Sequence, residues 1–322
     1  MAVYTKINNS DILKLGNNYQ INKINKFKGI KKGIENTNYL LKTNKKKFIL
    51  TIFEKRVQRK DLPFFMSLME KLNKKKIICP RPLKNKQNKH LCEINEKPSC
   101  IVTFLSGTDK ANLNYKNCFD IGKNIAKFHK VTTKIKLYRQ NSMSVKKLDI
   151  LLKSIKFKSN AISPKLKPIL SACLKDIINK WPKKLPEGII HGDLFIDNIF
   201  FNKNKFSGFI DFYFSSNDYL MYEIAICVNS LCFDKKNKSF IMNNKKVKHL
   251  IDGYESIRLF SEKEKNALNI LCRGAALRYL LTRIYDYFNT PKTALIQIKD
   301  PNEYLQKLII HNQLNNYTDY YK

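Results

Sequence analysis

The sequence carries a histidine, an aspartate and an asparagine in the order H-x-D-x-x-x-x-N, at His191, Asp193 and Asn198. In enzymes that transfer phosphoryl groups, this spacing forms a loop whose aspartate accepts the proton of the attacking hydroxyl and whose asparagine binds a metal ion. A further acid, Asp211, ends the next apolar run, where the other Mg²⁺ ligand of such a site is expected. The pattern therefore predicts a phosphoryl-transfer centre that uses ATP and Mg²⁺, with Asp193 as its catalytic residue.

The chemistry explains why these residue types are needed. Mg²⁺ prefers oxygen ligands, which the amide of Asn198 and the carboxylate of Asp211 supply, while Asp193 stays free of metal and orients a hydroxyl. Gly192 stands where protein kinases carry an arginine that anchors a phosphorylated loop, which points to a kinase of small molecules. The alternative is a β-hairpin with polar turn residues, but strand-like apolar runs on both sides of the loop favour the catalytic interpretation.

Ten segments, in order along nearly the whole chain, resemble the bacterial homoserine kinases, which share the fold of aminoglycoside phosphotransferases and choline kinases. They are MAVYTKI, KGIKKGIENTNYLL, FILTIFEKRV, DLPFFMSLMEKL, IVTFLSG, IIHGDLFIDNIFF, GFIDFYFSSNDYLMYEIAICVNSLCF, GYESIRLFSEKE, RGAALRYLLTRIYDYFNTP and KDPNEYL. The resemblance runs from Met1 to about His311. It implies that the chain converts L-homoserine and ATP into O-phospho-L-homoserine, on the way to threonine.

The resemblance also implies a fold of the α+β class with two protein-kinase-like lobes. The smaller N-terminal lobe would hold an antiparallel sheet with a helix, and the larger C-terminal lobe would be mainly helical. A chain of 322 residues is long enough for two separate cores. We expect a nucleotide-binding lobe over residues 1–100, a hinge over 101–107, and a catalytic and substrate-binding lobe over 108–322.

Local patterns place elements within these lobes. Strand-like runs at 19–27, 39–43 and 48–53 predict an antiparallel meander, and a helix is expected from Asp61, a good N-cap, with Pro63 in its first turn. Helical periodicity dominates the second half, and residues 134–163 read as a mixed loop and helix insertion. The helices predicted there cover 118–130, 165–181, 219–232, 262–288 and 301–314.

The nucleotide side of the site is less marked in the sequence. A glycine-containing turn between the first two strands can bring backbone N–H groups to phosphates, or it can merely turn the chain. The resemblance favours phosphate binding, with Thr51 where a phosphate-pairing cation is usual, Lys55 or Arg56 as its substitute, and a hinge that reads the purine edge through main-chain groups. The nucleotide-binding residues it implies are Gly29, Gly33, Asn36, Asn38, Lys55, Thr103 and Leu105.

An amino-acid substrate must be held by its carboxylate and its ammonium group. Arginine is the preferred partner of a carboxylate, and the helix after Ser261 offers Arg273, Arg278 and Arg283, with Asp286 for an ammonium group. The alternative for Arg283 and Asp286 is an ordinary surface pair on one helix face. Tyr213, beside the metal-binding acid, is a further candidate for the substrate pocket, and Asp218 and Glu223 line that pocket or brace the loop, with bracing favoured for Glu223.

Other acceptors and another class of protein fit part of the pattern. A second hypothesis is a kinase of the same superfamily that acts on choline, another amino alcohol or an aminoglycoside. A third arises from the formal charge of +35 and the pI near 9.8, which are typical of nucleic-acid-binding proteins. However, the lysines are scattered over the whole chain and no nucleic-acid-binding motif accompanies them, so we expect a solvated surface and no specific nucleic-acid partner.

Cysteine usage and hydropathy bear on the compartment. The eight cysteines form no C-x-x-C pair, and most lie in apolar segments, as expected for small core residues in a reducing environment. The five histidines show no zinc-binding spacing, and no apolar run approaches the length of a membrane span. We therefore expect a cytoplasmic enzyme without a membrane partner, and the sequence leaves its oligomeric state open.

Overall fold

The structure of the chain, a computed structural model, describes residues 4–21, 23–30, 36–54, 57–155, 166–289 and 299–321. The chain divides into two compact units. The first holds the chain up to Thr108 together with Ser207–Tyr213, and the second holds Asp109–Phe206 and most of the chain after Phe214. Each unit is built around its own buried residues.

Strands and helices occur in groups along the described chain. The strands are β1 (Ile24–Gly29), β2 (Thr37–Thr43), β3 (Lys47–Ile52), β4 (Leu91–Ile94), β5 (Lys97–Thr103), β6 (Glu187–Ile190), β7 (Ile199–Asn202), β8 (Lys205–Phe209), β9 (Ser216–Tyr219), β10 (Phe233–Lys236) and β11 (Ser239–Met242). The helices are α1 (Asn9–Tyr19), α2 (Leu62–Lys74), α3 (Tyr115–Thr132), α4 (Leu148–Ser154), α5 (Leu166–Lys180), α6 (Leu220–Leu231), α7 (Asn244–Glu255), α8 (Glu262–Asn289) and α9 (Asn302–Asn312). This mixture confirms the α+β class.

A five-stranded sheet with the order β1-β2-β3-β5-β4 forms the frame of the first unit. All of its neighbouring strands are antiparallel, as predicted for the meander of the first three strands. Alternate residues point to one face, so that Leu41 of β2 and Leu50 of β3 are fully buried. On the other face, Asn38 lies opposite Thr51 in the register of β2 and β3. The sheet thus sets two polar side chains side by side.

The strand predicted over 19–27 is wrong in its first half, because α1 ends at Tyr19 and β1 begins at Ile24. Helix α1 begins with a capping box, in which the Asn8 side chain accepts from the Asp11 N–H and the Asp11 carboxylate accepts from the Asn8 N–H. Its buried residues follow the helical period, since Ile12, Leu15 and Tyr19 share one face.

Helix α2 confirms the helix predicted after Asp61. The residue occupies the N-cap position, but its backbone is already helical, with φ of −87° and ψ of −18°, and its side chain makes no capping hydrogen bond to the helix. A short 3-10 turn over Arg59–Asp61 leads directly into α2 and replaces the expected cap. The apolar face is as predicted, with Phe65, Leu68, Met69 and Leu72 buried and Phe64 half-buried.

The second unit contains each of the five helices predicted for the second half, as α3, α5, α6, α8 and α9. Helix α7 and the hairpin of β10 and β11 were not predicted, and the part of the predicted insertion over 134–163 that follows Ile155 lies outside the described residues. Helices α3 and α7 pack with their backbones in close approach, because a Cβ at Gly122 would collide with the Leu250 carbonyl and one at Gly253 with the Phe119 carbonyl. None of the described helices is long and apolar enough to cross a membrane.

Candidate active site

The loop after β6 carries Asp193 and Asn198 in one hydrogen-bonded arrangement. Asn198 lies in a 3-10 turn, and its Nδ2 donates to the Asp193 carbonyl at 2.8 Å and to Asp193 Oδ2 at 3.4 Å. Gly192 has a φ of +79°, and a Cβ there would lie 2.9 Å from the Phe214 carbonyl oxygen. A residue with a side chain would therefore be strained at this position, which gives a local reason for glycine beside the aspartate.

A buried carboxylate holds the backbone of this loop from within the second unit. Glu223, in the first turn of α6, is fully buried and accepts hydrogen bonds from the N–H groups of His191 and Gly192, the latter at 3.1 Å. Such paired backbone donors compensate a carboxylate that has been removed from water. The bracing role favoured for Glu223 on the sequence is confirmed.

A chain of buried polar groups continues behind Glu223. The Nε2 of His129 lies 4.0 Å from Glu223 Oε2, and its Nδ1 lies 2.9 Å from the Tyr254 hydroxyl. Arg258 donates to the Tyr254 hydroxyl at 3.3 Å and to Glu264 at 3.1 Å. Burial lowers the pKa of His129 from its ordinary value of 6.5, so the imidazole is neutral near neutral pH. This series of polar contacts joins α3, α6 and α7 to the loop.

Two neighbouring residues of α8 contact the loop on its other side. Arg278 is 3% exposed, and its Nη1 donates to the Gly192 carbonyl at 3.0 Å. The Tyr279 hydroxyl lies 3.4 Å from Asp193 Oδ1 and 3.4 Å from the same Gly192 carbonyl. Burial raises the pKa of Tyr279, so its hydroxyl keeps its proton and can donate to the Asp193 carboxylate. Sequence reasoning missed Tyr279, whose only signal is its place beside Arg278.

Asp218 is also fixed by protein groups of the second unit. Its Oδ2 accepts from the Asn141 amide at 2.6 Å, and its Oδ1 accepts from the Tyr219 N–H at 2.8 Å. Burial raises the pKa of Asp218 even though both hydrogen bonds favour the charged form. These contacts join the segment before α4 to the end of β9, so Asp218 braces the neighbourhood of the loop.

The other arginines predicted to bind the substrate carboxylate are bonded to protein acids. Arg283 donates to Glu303 of α9 at 2.7 Å and to the Asp300 carbonyl at 2.9 Å, and Arg273 donates to Asp176 of α5 at 2.7 Å. Asp286 follows Arg283 by about one turn of α8. Each arginine thus ties α8 to a neighbouring element, and the assignment of Arg278, Arg283 and Asp286 to the substrate stays a prediction.

Asp211 and Tyr213 lie in the first unit. Asp211 is exposed and has a φ of +63°, a left-handed conformation that costs free energy for a residue with a side chain and is found at functional sites. The ring of Tyr213 packs edge-on against Phe53 at 4.9 Å and Phe65 at 5.7 Å between centroids. Its hydroxyl lies 3.9 Å from Cys100 Sγ, so Tyr213 anchors Asp211 to the interior of this unit.

The residues predicted to contact the nucleotide also lie in the first unit where they are described. Asn36 Oδ1 accepts from the Glu54 N–H at 3.4 Å, and Asn38 Oδ1 accepts from the Thr51 hydroxyl at 2.8 Å. Gly29 ends β1. Gly33, Lys55 and Arg56 lie outside the described residues.

The predicted hinge residues follow the end of the sheet. Thr103 ends β5, and its N–H donates to the Arg81 carbonyl at 2.9 Å, while its hydroxyl accepts from the Arg81 N–H at 2.9 Å. Leu105 is half-buried just beyond the strand. Because the N–H of Thr103 is already used, any main-chain contact of this residue with a purine must involve another group.

The chemistry of the predicted metal ligands fits a divalent cation that also binds a nucleotide. The Nδ2 of Asn198 is used by Asp193, which leaves its oxygen as the atom that can bind a metal. Within the described ranges, no group of three or more His, Cys, Asp and Glu residues could hold a metal ion. A site with few protein ligands is typical of Mg²⁺, which keeps water and takes phosphate oxygens.

Comparisons with known proteins agree with this geometry. A family model described as the phosphotransferase enzyme family matches residues 26–260. Homoserine kinases from Allorhizobium ampelinum and Agrobacterium fabrum are 41% and 40% identical to the chain over 320 residues, which covers 99% of this chain and 99% and 98% of theirs.

Solved structures with the same fold include small-molecule kinases. The amicoumacin kinase hAmiN, solved with AMP-PNP, Ca²⁺ and Ami, has a TM-score of 0.76 at 13% identity, with 97% of each chain covered. The Plasmodium vivax ethanolamine kinase has a TM-score of 0.65 at 16% identity, with 96% of this chain and 92% of that chain covered. These likenesses confirm the kinase-like fold.

Proposed function

The chain belongs to the phosphotransferase enzyme family, and we infer that it is a homoserine kinase, which phosphorylates the side-chain hydroxyl of L-homoserine with ATP. The observation that carries this conclusion is the identity of about 40% with several homoserine kinases over the full length of the chain. The product, O-phospho-L-homoserine, places the enzyme in threonine biosynthesis. The alternatives, another small-molecule acceptor or a nucleic-acid-binding role, are not favoured.

We propose that Asp193 accepts the proton of the substrate hydroxyl during a direct in-line transfer, without a phosphoenzyme. The contacts that support this role are those of the loop, because Asn198 and Tyr279 contact the two carboxylate oxygens of Asp193, and the residue is only half-buried. Positioning of this kind accounts for much of the rate enhancement in phosphoryl transfer.

We propose that Asn198 and Asp211 bind the divalent cation, Mg²⁺, that accompanies ATP. The bound cation would neutralise negative charge on the phosphates. Asn198→Ala and Asp211→Ala each remove an oxygen ligand, so their remaining activity should require more Mg²⁺ than that of the unchanged enzyme. Activity measured against Mg²⁺ concentration tests the assignment. A loss of activity with an unchanged Mg²⁺ dependence would make both residues structural.

The nucleotide contacts are proposed from the resemblance and from the turn chemistry of the first unit. They comprise Gly29, Gly33, Asn36, Asn38, Lys55, Thr103 and Leu105, on the lobe proposed for residues 1–100 and the hinge proposed for 101–107. The amide of Asn38 is held at both ends, because its oxygen accepts from the Thr51 hydroxyl at 2.8 Å and its nitrogen donates to the Asn36 carbonyl at 3.5 Å, which leaves one amide hydrogen for a ligand. A donor in that position suits a phosphate oxygen.

The substrate contacts proposed for the lobe over 108–322 are Arg278, Arg283 and Asp286, with Tyr213 as a further candidate. They would hold the ends of an amino acid while its hydroxyl meets Asp193. Serine has one methylene fewer than homoserine, so its hydroxyl should fall short of Asp193 when the carboxylate is anchored. The length of the acceptor is therefore expected to decide its rate.

A panel of acceptors tests the proposed function. Release of ADP by the purified enzyme is followed with L-homoserine, L-serine, choline, ethanolamine and kanamycin at the same concentration. L-homoserine should be phosphorylated in strong preference to the others. Failure with L-homoserine together with good turnover of choline or kanamycin would overturn the assignment and leave the kinase-like fold standing. We further propose a cytoplasmic location, supported by the cysteine pattern and by the use of ATP.

A further inference from the structure

The three arginines of α8 are already bonded inside the second unit. Arg273, Arg278 and Arg283 donate to Asp176 at 2.7 Å, to the Gly192 carbonyl at 3.0 Å and to Glu303 at 2.7 Å, in that order. Arg278 is also 3% exposed. Because a bonded and buried guanidinium would have to give up a protein partner to take a new one, a carboxylate of the acceptor calls for an additional cation.

An aromatic wall stands beside the catalytic carboxylate. The ring of Phe195 packs edge-on against Tyr279, with 4.8 Å between the centroids, and the Tyr279 hydroxyl lies 3.4 Å from Asp193 Oδ1. Phe195 follows Asp193 by two positions and is half-buried, so part of its ring faces outward. An acceptor whose hydroxyl meets Asp193 would place its carbon chain along this wall.

A lysine lies at the outer edge of the wall. The Nζ of Lys299 is 5.1 Å from the centroid of the Phe195 ring, and the residue is exposed. The next acid, Asp300, uses its Oδ1 to accept from the Asn302 N–H at 2.8 Å, at the start of α9. Within the described parts of the chain, Lys299 has no acidic partner within ion-pair distance. Its charge is therefore available to a ligand.

We propose that Lys299 binds the α-carboxylate of the acceptor and so selects amino acids over amino alcohols. The inference rests on the proposed function and adds a specificity-determining residue to it. The ammonium group of lysine is a compact donor on a flexible stem, and it can reach an anion over an aromatic ring without leaving water. An acceptor without a carboxylate, such as choline, would gain nothing from this contact and would be repelled by its charge.

The experiment compares two acceptors that differ only in the carboxylate. L-homoserine and 3-aminopropan-1-ol are offered to the unchanged enzyme and to Lys299→Gln, at saturating ATP. The KM for L-homoserine should rise about tenfold or more in the variant, the effect of losing one charged hydrogen-bond partner, with kcat nearly kept. The value of kcat/KM for 3-aminopropan-1-ol should stay the same or rise. Lys299→Arg should retain most of the affinity for L-homoserine.

A dead-end ligand and a matched control separate binding from general effects. L-2-aminobutyrate keeps the carboxylate and lacks the hydroxyl, so its inhibition constant should rise in Lys299→Gln by the same factor as the KM. Lys127→Gln removes one exposed charge from α3 of the same unit and should change neither value.

The outcomes distinguish this inference from the proposed function. If the unchanged enzyme phosphorylates L-homoserine and Lys299→Gln leaves its KM alone, the carboxylate contact is wrong and the function stands. An equal loss with both acceptors would also overturn it, because Lys299 would then act without regard to the carboxylate. If the unchanged enzyme does not phosphorylate L-homoserine, the proposed function and this inference are both wrong.

Discussion

The loop that carries Asp193 in the second unit and the start of β2 in the first unit both present polar side chains, but these side chains are held in different ways. The loop is bonded to side chains far away in sequence, since Glu223 and Arg278 contact Gly192 across 31 and 86 positions. Asn38, after the turn, is bonded to Thr51 across 13 positions, on the adjacent strand. One region is fixed by the core of its unit and the other by its own sheet.

This difference separates two tasks of the proposed reaction. The carboxylate of Asp193 must stay in one orientation during proton transfer, and buried partners with little freedom provide that. The proposed nucleotide contact at Asn38 must form and break in each cycle, for which local hydrogen bonds between neighbouring strands suffice. Changes in the loop and its supports should therefore alter kcat, whereas changes in the strands beside the turn should alter the KM for ATP.

The largest effect is expected at Asp193. Asp193→Asn keeps the size of the side chain and removes the proton acceptor, so kcat should fall by about 10²-fold or more. Nucleotide affinity, measured by calorimetric titration with ADP, should stay near normal because the change lies in the loop. Asp197→Asn, four residues later in the same loop, is the matched control and should keep its activity. Nearly full activity of Asp193→Asn would remove the residue from the mechanism.

The buried support of the loop should show the next largest effect. In Glu223→Gln a single amide oxygen replaces a carboxylate that accepts from two backbone N–H groups, so stability should fall by about 2 kcal/mol and kcat by about tenfold. Urea denaturation and steady-state kinetics measure the two quantities.

The corresponding change in the first unit is Glu54→Gln, which weakens an acceptor of the Thr37 hydroxyl at 2.7 Å. It should lower stability to a similar extent while leaving kcat unchanged, since Glu54 supports the sheet. Equal losses of kcat in Glu54→Gln and Glu223→Gln would break the comparison between the regions.

What the sequence reveals about the site depends on how far apart the interacting residues lie. The pairing of Asp193 with Asn198 in one loop could be predicted because the proposed chemistry needs a fixed spacing, and the likeness to homoserine kinases indicated the acceptor. Tyr279 could not be found this way, since it meets Asp193 across 86 positions and only the packing of α8 brings it there. From the sequence alone, Glu223 could be recognised only as one of two acids near the start of α6, the other being Asp218.

The fold, like the site, could be predicted from the sequence only in part. Helix α3 is long and buries residues at helical spacing, so its apolar pattern identifies it, whereas α6 and α8 are buried on nearly all sides and are marked by their long apolar sequences. Helix α1 was not predicted, although its capping box at Asn8 and Asp11 can be recognised in the sequence. The run that begins at Tyr19 was assigned to a strand, and the residues before it were assigned to no element. Asp61 shows the opposite error, since a good capping residue stands at the start of α2 without capping it.

Acid should weaken the second unit through its buried histidines. His311 of α9 is fully buried against Tyr320 and Asn229, and burial lowers its pKa from 6.5 to about 3. The unfolded chain therefore binds a proton below pH 6.5 that the folded chain refuses down to about pH 3, so stability is full above this window and is lost as the pH falls through it.

Urea denaturation between pH 8 and pH 4 measures this contribution. Each such histidine should lower the free energy of unfolding by about 1.4 kcal/mol per pH unit below its unfolded pKa. In His311→Gln the slope should be smaller by about that amount, whatever the stability of the variant at pH 8. A variant with the slope of the unchanged protein would show that His311 is protonated in the folded state.

The smallest effect is expected from the strand pair beside the turn. Thr51→Val keeps the shape of the side chain and removes the hydroxyl that donates to Asn38 Oδ1 at 2.8 Å, so the Asn38 amide keeps the weaker contact of its nitrogen with the Asn36 carbonyl and is less well oriented. The KM for ATP should rise about threefold with kcat unchanged, the size of one neutral hydrogen bond. Thr43→Val, at the end of β2, where the hydroxyl bonds to Lys45 and Lys46 of the following turn, should leave both constants unchanged. A fall of kcat in Thr51→Val without a change of KM would instead tie Asn38 to the chemical step, and the two regions would then differ in support but not in task.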